Sequence, residues 1–269
     1  MTSWFQAAGY DFQEFTANGL RTFAVVEGQS GGFPLVLLHS IPAASFVWST
    51  TIQAIGRSSR IIAPDLPGWG RSHNRIAPVD FRLTRESLSA WLTDVISAQQ
   101  CERCDIAGLG DGAWLAMEFV REHANKVRRL GLLNLPIAPK ILPARRWPWQ
   151  KQDWTGRRLT KWLADTAGLT DALESQFDEL FAGGWHVERS PEFPSSEYLR
   201  EIKAYRDRLR NFEGEILLGW GANSAGFDKE RAEWFAQGRH IEVWENAGEF
   251  PMWEQPEQFA SEMREFFGQ

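Results

Sequence analysis

A glycine-rich turn between an apolar strand and an amphipathic helix constrains the fold of this chain more than any other feature. Residues 105–109 have the composition of a buried strand, residues 108–112 read Gly-Leu-Gly-Asp-Gly, and a helical pattern starts at Ala113. Small residues are needed at both flanks of such a turn, because strand and helix pass so close that a Cβ on either flank would clash. The pattern therefore predicts a tight strand–turn–helix unit.

The spacing of this turn is that of a nucleophile elbow, G-x-S-x-G, with glycine in the place of the nucleophile. Gly110 has no side-chain atom that can attack a substrate, so the turn predicts the architecture without its usual chemistry. The alternative is Asp111 as a shifted aspartate nucleophile. If Asp111 were the nucleophile, Leu109 would stand at a flanking position of the motif. Its side chain is too large for the close approach of strand and helix at that position.

Short strands and helices alternate along the chain. Residues 12–27 have loosely alternating apolar positions around an Asn-Gly pair, which predicts an antiparallel hairpin. Continuous apolar runs at 34–39 and 61–65 are typical of strands that are buried on both faces of a parallel sheet. Residues 84–97 repeat apolar positions at helical spacing. The alternation predicts a parallel sheet with crossover connections.

Length and charge limit the classes of protein that fit. With 269 residues, one domain carrying an inserted piece is expected, since single cores grow to about 250–300 residues. The net charge of −6 gives no electrostatic footprint for nucleic acid or for an anionic membrane, so neither is expected as a partner. No apolar run is long enough to span a bilayer and the start of the chain lacks the pattern of a signal peptide, which predicts a cytoplasmic protein. A homodimer is left open.

No cofactor and no metal are expected. Histidines and carboxylates do not cluster at metal-ligand spacing, and the glycine turn lacks the lysine and hydroxyl residue of a phosphate loop. Cys101 and Cys104 form a C-x-x-C pair, but the pair precedes a strand instead of opening a helix and has no second ligand pair. The two cysteines are therefore predicted to be structural.

Further motifs match one enzyme superfamily. His39-Ser40-Ile41-Pro42 is similar to an H-G-x-P oxyanion loop, and residues 65–72 are similar to a D-x-P-G-x-G-x-S loop. Residues 220–221 and 248–256 match the loops that carry the acid and the histidine. Together with the elbow, these motifs resemble the α/β-hydrolase superfamily, near its esterase, C-C hydrolase, epoxide hydrolase and haloalkane dehalogenase branch. The resemblance implies an α/β fold with a mostly parallel, eight-stranded sheet flanked by helices and with an inserted helical cap.

The resemblance also implies a division into a core of residues 1–135 and 212–269 and a cap of residues 136–211. Tryptophans are concentrated in the cap segment. They would either stack on a small apolar or aromatic ligand, which is the expected partner, or attach the cap to the core. The cap residues that we assign to substrate binding are Trp147, Trp149, Trp154, Trp185 and His186.

By the same resemblance, all three positions of the catalytic triad are substituted. The nucleophile position holds Gly110, the acid position Ser224 and the histidine position Glu249. An alternative acid position holds Asn134, which cannot serve as an anion. No Ser-His-Asp triad is therefore expected.

The surviving parts of the site are predicted to be backbone donors and a carboxyl group. The N–H groups of Ile41 and Asp111 have the positions of oxyanion donors and do not depend on the lost side chains. Glu249 would be poorly solvated beneath a tryptophan-rich wall, which raises a carboxyl pKa and suits an acid or base; a solvated surface glutamate is the alternative. Ser224 either bonds Glu249 or, as we expect, caps the next helix or is solvated.

The predicted site outside the cap has a catalytic set and a substrate-binding set. The catalytic residues are Glu249, Asp111 and Ile41, and the substrate-binding residues are His39, Ser40, Gly110, Trp114, Ser224 and Phe250. A histidine at the position of His39 is usually buried and structural in the family that the chain resembles, which is the alternative for this residue.

Three functional hypotheses fit these residues. The first is an unconventional enzyme of specialised metabolism that uses acid/base chemistry for cyclisation, elimination, decarboxylation or isomerisation of an apolar, carbonyl-bearing substrate. The second is a catalytically inactive protein that binds a ligand or a partner. The third is a hydrolase in which Asp111 attacks or Glu249 activates water.

Overall fold

The structure is a computed structural model that describes residues 9–28, 32–41, 43–55, 60–72, 84–137, 171–181 and 198–268. Its strands are β1 Phe12–Ala17, β2 Leu20–Glu27, β3 Leu35–Leu38, β4 Ile61–Pro64, β5 Cys104–Leu109, β6 Val127–Leu133, β7 Glu215–Gly221 and β8 Ile241–Trp244. Its α-helices are α1 Ser49–Ile55, α2 Arg85–Ala98, α3 Asp111–His123, α4 Asp171–Phe181, α5 Tyr198–Leu209, α6 Lys229–Ala236, α7 Pro251–Glu254 and α8 Pro256–Phe267.

All eight strands form one sheet in the order β1-β2-β4-β3-β5-β6-β7-β8. β2 is antiparallel to both of its neighbours, and every other pair is parallel. Helix α3 packs on β3, β5 and β6, with α2 beside it, and α8 packs on α1. The prediction of a mostly parallel, eight-stranded sheet flanked by helices is confirmed.

The opening hairpin forms where the sequence predicts it. Asn18 and Gly19 connect β1 to β2 with φ angles of 46° and 75°, the positive values that a two-residue hairpin turn requires. Asparagine and glycine are the residues that reach this conformation at the lowest cost. This two-residue turn therefore sets the register in which β1 pairs with β2.

The central strands explain the continuous apolar runs. Every residue of β3, β4 and β5 is buried, because helices cover the parallel part of the sheet. Helix α2 begins one residue after Thr84, whose hydroxyl accepts a hydrogen bond from the Ser87 N–H as an N-cap. The core is thus built from the segments whose pattern of apolar residues predicts buried strands and a helix.

Two helices of the predicted cap segment lie among the described residues and pack on the core. On α4, the ring of Phe177 meets Phe46 at 5.2 Å and Phe250 at 5.7 Å between centroids. On α5, the hydroxyl of Tyr205 donates to Oε2 of Glu118, a buried residue of α3. The division into core and cap stays a prediction.

The two cysteines are free thiols. Cys104 is buried at the start of β5, and burial raises the pKa of its thiol to about 12. Cys101 is partly buried, and its pKa is raised by the same cause. Thiols that resist ionisation are poor nucleophiles and metal ligands, which agrees with a structural role. Among the residues described, no helix is both long and apolar enough to cross a membrane.

The turn between β5 and α3 depends on glycine at both flanks. A Cβ on Gly108 would lie 2.2 Å from the carbonyl oxygen of Gly112. A Cβ on Gly112 would lie 2.2 Å from the carbonyl oxygen of Leu38. Both contacts involve backbone atoms, which cannot move aside without displacing β3 or α3.

We expect Gly108→Ala to lower the free energy of unfolding by about 3 kcal/mol, because the new methyl group overpacks the turn. Gly19→Ala is the matched control. It has the same change and a φ of 75° but no neighbouring atom within 4 Å, so it should cost only backbone strain of about 1 kcal/mol. Urea unfolding of both variants measures the difference, and equal losses would contradict the close approach.

Candidate active site

The apex of the turn is Gly110, which connects β5 directly to α3. Its φ of 54° and ψ of −113° form a conformation that is strained for most residues. The Gly110 N–H donates to the carbonyl oxygen of Leu133 at 2.8 Å, which fixes the apex at the carboxyl edge of the sheet. A Cβ at this position would lie 2.5 Å from Ser40 Oγ, so the serine hydroxyl stands beside the apex.

The carboxyl group of Asp111 accepts hydrogen bonds from the groups that the sequence predicts as oxyanion donors. Its Oδ2 accepts the Ile41 N–H at 3.0 Å and the Ser40 hydroxyl at 3.3 Å, and its own backbone N–H adds a hydrogen bond to the carboxyl group. The expectation that these two backbone donors remain open for a ligand is therefore wrong for this structure. A carboxyl group of the chain itself takes both of them.

The protein environment raises the pKa of the Asp111 carboxyl group above its value in water. Burial raises the pKa of Asp111 from 3.8 to about 6, and the negative charge of Glu249 contributes in the same direction. The hydrogen bonds from Ile41 and Ser40 oppose this rise because they stabilise the ionised form. Near neutral pH, Asp111 is thus an anion with a basicity suited to proton transfer.

Glu249 is anchored in the same manner. Its Oε1 accepts the Ala225 N–H at 2.8 Å and the Ser224 hydroxyl at 3.1 Å, and burial raises its pKa. The expectation that Ser224 caps a helix is wrong, because Asp228 caps α6 by accepting the Arg231 N–H at 3.0 Å. The electrostatic contact with Asp111 agrees with an inward-facing Glu249 rather than a solvated one.

The two carboxyl groups therefore have the same hydrogen-bonding arrangement. In each, a single oxygen accepts one backbone N–H and one serine hydroxyl. The residues around the apex remain partly exposed while the strands beneath them are buried; they are Ser40, Ile41, Gly110, Asp111 and Glu249. These partly exposed residues lie around the two carboxyl groups at the carboxyl edge of the sheet, while burial of the carboxyl groups themselves raises their pKa.

Asn134 braces the loop that carries Glu249. Its Nδ2 donates to the carbonyl oxygens of Gly248 at 2.9 Å and Glu249 at 3.1 Å, while its Oδ1 accepts the Gly221 N–H at 2.8 Å. A φ of 46° directs the side chain toward these groups as the chain leaves β6. Sequence reasoning recognised that Asn134 is no anion but missed this role; its place directly after a buried strand was the available signal.

His39 has a structural environment. It is fully buried, its Nδ1 donates to the Ser40 carbonyl oxygen at 2.8 Å, and its Nε2 accepts the Leu66 N–H at 2.8 Å. Burial lowers the pKa of His39 to about 4, so the ring is neutral. No surface of His39 is open to a substrate, which corrects its assignment to substrate binding.

Trp114 and Phe250 are buried where the two helices of the predicted cap segment meet the core. Trp114 is 5% exposed and its ring meets Tyr205 at 6.5 Å, while Phe250 is 4% exposed and meets Phe177. Both residues pack α4 or α5 onto the core, so their predicted contact with substrate is limited to small edges. The predicted cap residues Trp147, Trp149, Trp154, Trp185 and His186 lie outside the described residues.

Among the described residues, no three histidine, cysteine, aspartate or glutamate side chains come together to hold a metal ion. Asp65 is buried, but its carboxyl accepts the N–H groups of Ser45 and Arg71, each at 2.7 Å, and so pins the loop after β4.

Comparisons with known proteins agree on the fold. A model described as "Alpha/beta hydrolase family" matches residues 35–262. The 2-hydroxymuconate semialdehyde hydrolase of Pseudomonas sp. (strain CF600) is 23% identical, over 96% of this chain and 94% of its own. The structure of carboxylesterase CesB (YbfK) from Bacillus subtilis gives a TM-score of 0.77 at 20% identity and covers 99% of this chain and 96% of that chain. The meta-cleavage product hydrolase CumD from Pseudomonas fluorescens gives 0.74 at 21%, with coverage of 95% and 97%.

The raised pKa of Asp111 predicts a pH-dependent stability. Because the folded-state pKa of about 6 exceeds the ordinary 3.8, the contribution of Asp111 is fully present below about pH 3.8 and is lost as the pH rises through about 6. Asp111→Asn keeps an acceptor oxygen and removes the charge. We expect its stability relative to the native chain to rise by up to about 3 kcal/mol across this window. Urea unfolding measures it, with exposed Glu245→Gln as control; a pH-independent difference would contradict the shift.

Because the Asn134 side chain holds the loop that carries Glu249, its removal should lower the free energy of unfolding. Asn134→Ala deletes three hydrogen bonds and places alanine at a φ of 46°, so we expect a loss of about 3 kcal/mol in the free energy of unfolding. Asn134→Gly loses the same bonds without the backbone strain, and should be somewhat less destabilised. Native-like stability of both variants in thermal unfolding would show that the brace is unimportant.

Proposed function

This chain belongs to the alpha/beta hydrolase family, and we propose that it is an enzyme in which the carboxyl groups of Asp111 and Glu249 replace the Ser-His-Asp triad. The substitutions at the three triad positions support this assignment. The apex is Gly110, Glu249 stands in the histidine position, and Ser224 stands in the acid position. The relatives named above are hydrolases, but the proposed chemistry is proton transfer rather than hydrolysis.

The observation that carries the proposal is the hydrogen bonding of Asp111. Acyl transfer requires backbone donors aimed at an oxyanion that develops during the reaction. Here the Ile41 N–H is engaged by Asp111 Oδ2 at 3.0 Å. The donors of a hydrolase thus orient a carboxylate, which suits a general base held in one position.

Glu249 supplies the complementary group. Burial raises its pKa, and its charge raises the pKa of Asp111, so protonation of one carboxyl favours ionisation of the other. Such a pair can remove a proton from one atom of a substrate and return a proton to another. Cyclisation, elimination, decarboxylation and isomerisation of an apolar, carbonyl-bearing molecule are reactions of this kind, and specialised metabolism is where we place them.

Two other functions compete with this proposal. The named activities of the relatives favour a hydrolase, with Asp111 attacking or Glu249 activating water. The internal occupation of the donors favours a binding protein that leaves its ligand unchanged. Turnover of a small probe by the carboxyl groups separates an inert binding protein from the proposed enzyme.

A nitro-substituted benzisoxazole tests the base without knowledge of the natural substrate, because a carboxylate opens its ring by removing one carbon-bound proton. We expect turnover to rise with pH through about 6 and then level off, since only ionised Asp111 is active. Asp111→Asn should lower the rate by about 100-fold. Absorbance of the phenolate product measures the reaction.

Glu249→Gln and exposed Glu245→Gln complete the design. Removing the charge of Glu249 should lower the pKa of Asp111 and move the pH midpoint downward, whereas Glu245→Gln should change neither rate nor midpoint. A rate that survives in Asp111→Asn would exclude Asp111 as the base and refute the proposed function.

A further inference from the structure

We propose that Ser40 is a nucleophile relocated to the elbow, and that its hydroxyl attacks ester or phosphonyl electrophiles with Asp111 as the base. The inference rests on the role of Asp111 as base in the proposed function and adds a group that forms a covalent bond. It gives the site a second class of substrate, activated acyl or phosphonyl compounds.

The position of Ser40 Oγ is the first observation. It stands 2.5 Å from the point that a Cβ on Gly110 would occupy. In an elbow of the G-x-S-x-G type, the nucleophilic oxygen projects from that Cβ. The hydroxyl of Ser40 therefore reaches the same region of the site from the opposite side, in space that glycine leaves open.

The contacts of Ser40 supply the second observation. Its Oγ donates to Asp111 Oδ2 at 3.3 Å, which places a base beside the hydroxyl, and part of its surface is exposed. Nucleophile and base within hydrogen-bonding reach are the elements of an activated serine. Ser224 has a similar bond to Glu249 but is buried, so Ser40 is the partly exposed serine of the two.

The backbone around Ser40 is rigid on both sides. Gly112 lets α3 approach the carbonyl oxygens of Leu38 and His39, since its Cβ would lie 2.2 and 2.7 Å from them. The His39 ring bonds the Ser40 carbonyl oxygen and the Leu66 N–H. These contacts hold Ser40 against the apex.

The covalent step balances without a cofactor. Ser40 Oγ bonds to the carbonyl carbon of an ester, its proton passes to Asp111, and the carbonyl electron pair moves to oxygen. Collapse of this intermediate expels the alcohol, which takes the proton from Asp111. Water then attacks the acyl carbon and gives a proton to Asp111. The bond between this carbon and Ser40 Oγ breaks, Oγ takes the proton back from Asp111, and the acid is released.

The same proton transfer frees a donor. Neutral Asp111 accepts hydrogen bonds more weakly than the carboxylate does. The Ile41 N–H, engaged by Asp111 in the resting site, then becomes available to the developing oxyanion. The substrate oxyanion replaces the Asp111 carboxylate as the acceptor of the Ile41 N–H. The hydrogen bond of the resting site is therefore compatible with the covalent step.

A tagged alkyl fluorophosphonate tests this inference on the full chain. Ser40 Oγ would attack phosphorus and expel fluoride, leaving a stable phosphonyl-serine. We expect one adduct per chain in the intact mass, located on Ser40 by peptide mass spectrometry, with a labelling rate that rises with pH through about 6. Ser40→Ala should lose the adduct, Asp111→Asn should label about 100-fold more slowly, and Ser261→Ala, at an exposed serine on α8, should label at the native rate.

The outcomes separate this inference from the proposed function. No adduct, or an adduct on another residue, together with native benzisoxazole turnover would overturn the role of Ser40 and leave the base in place. Labelling of Ser40 at the native rate in Asp111→Asn would overturn the role of Asp111 as its base. Because the adduct is located in the native chain, a variant that fails to fold cannot decide the result.

Discussion

The close approach of α3 to the end of β3 is the constraint on which the site depends. Gly112 allows the helix backbone to touch the carbonyl oxygens of Leu38 and His39, and any side chain there would push the two elements apart. This contact brings Ile41 within 3.0 Å of a residue that lies 70 positions later in the chain. The anchoring of Asp111 and the position of Ser40 are both consequences of that one contact.

The polar groups of the site form a chain of fixed partners. His39, neutral and buried, fixes the backbone of Ser40, and Asn134 fixes the loop of Glu249. Each carboxyl then receives a backbone N–H and a serine hydroxyl on one oxygen. Buried charges are tolerated when hydrogen bonds compensate for lost water, and the raised pKa of Asp111 shows that compensation here is incomplete.

Local patterns located the opening hairpin and the buried strands, and the family resemblance implied the eight-stranded fold. The Asn18-Gly19 turn and the buried runs of β3 and β4 depend on residues close in sequence, so periodicity and turn chemistry locate them. The bond between Asp111 and Ile41 depends on a side-chain rotamer and on two distant loops, and no pattern encodes it. For Ser224, composition allowed two partners, and the path of its loop decided between them.

The hydroxyl beside Gly110 has a consequence for the evolutionary history of the elbow. A serine acquired at position 110 by a single mutation would meet Ser40 Oγ and would find the Ile41 N–H already bonded to Asp111. Its side chain would lack room until position 40 had also changed. A serine at the apex of this elbow therefore requires coordinated changes at positions 40 and 110.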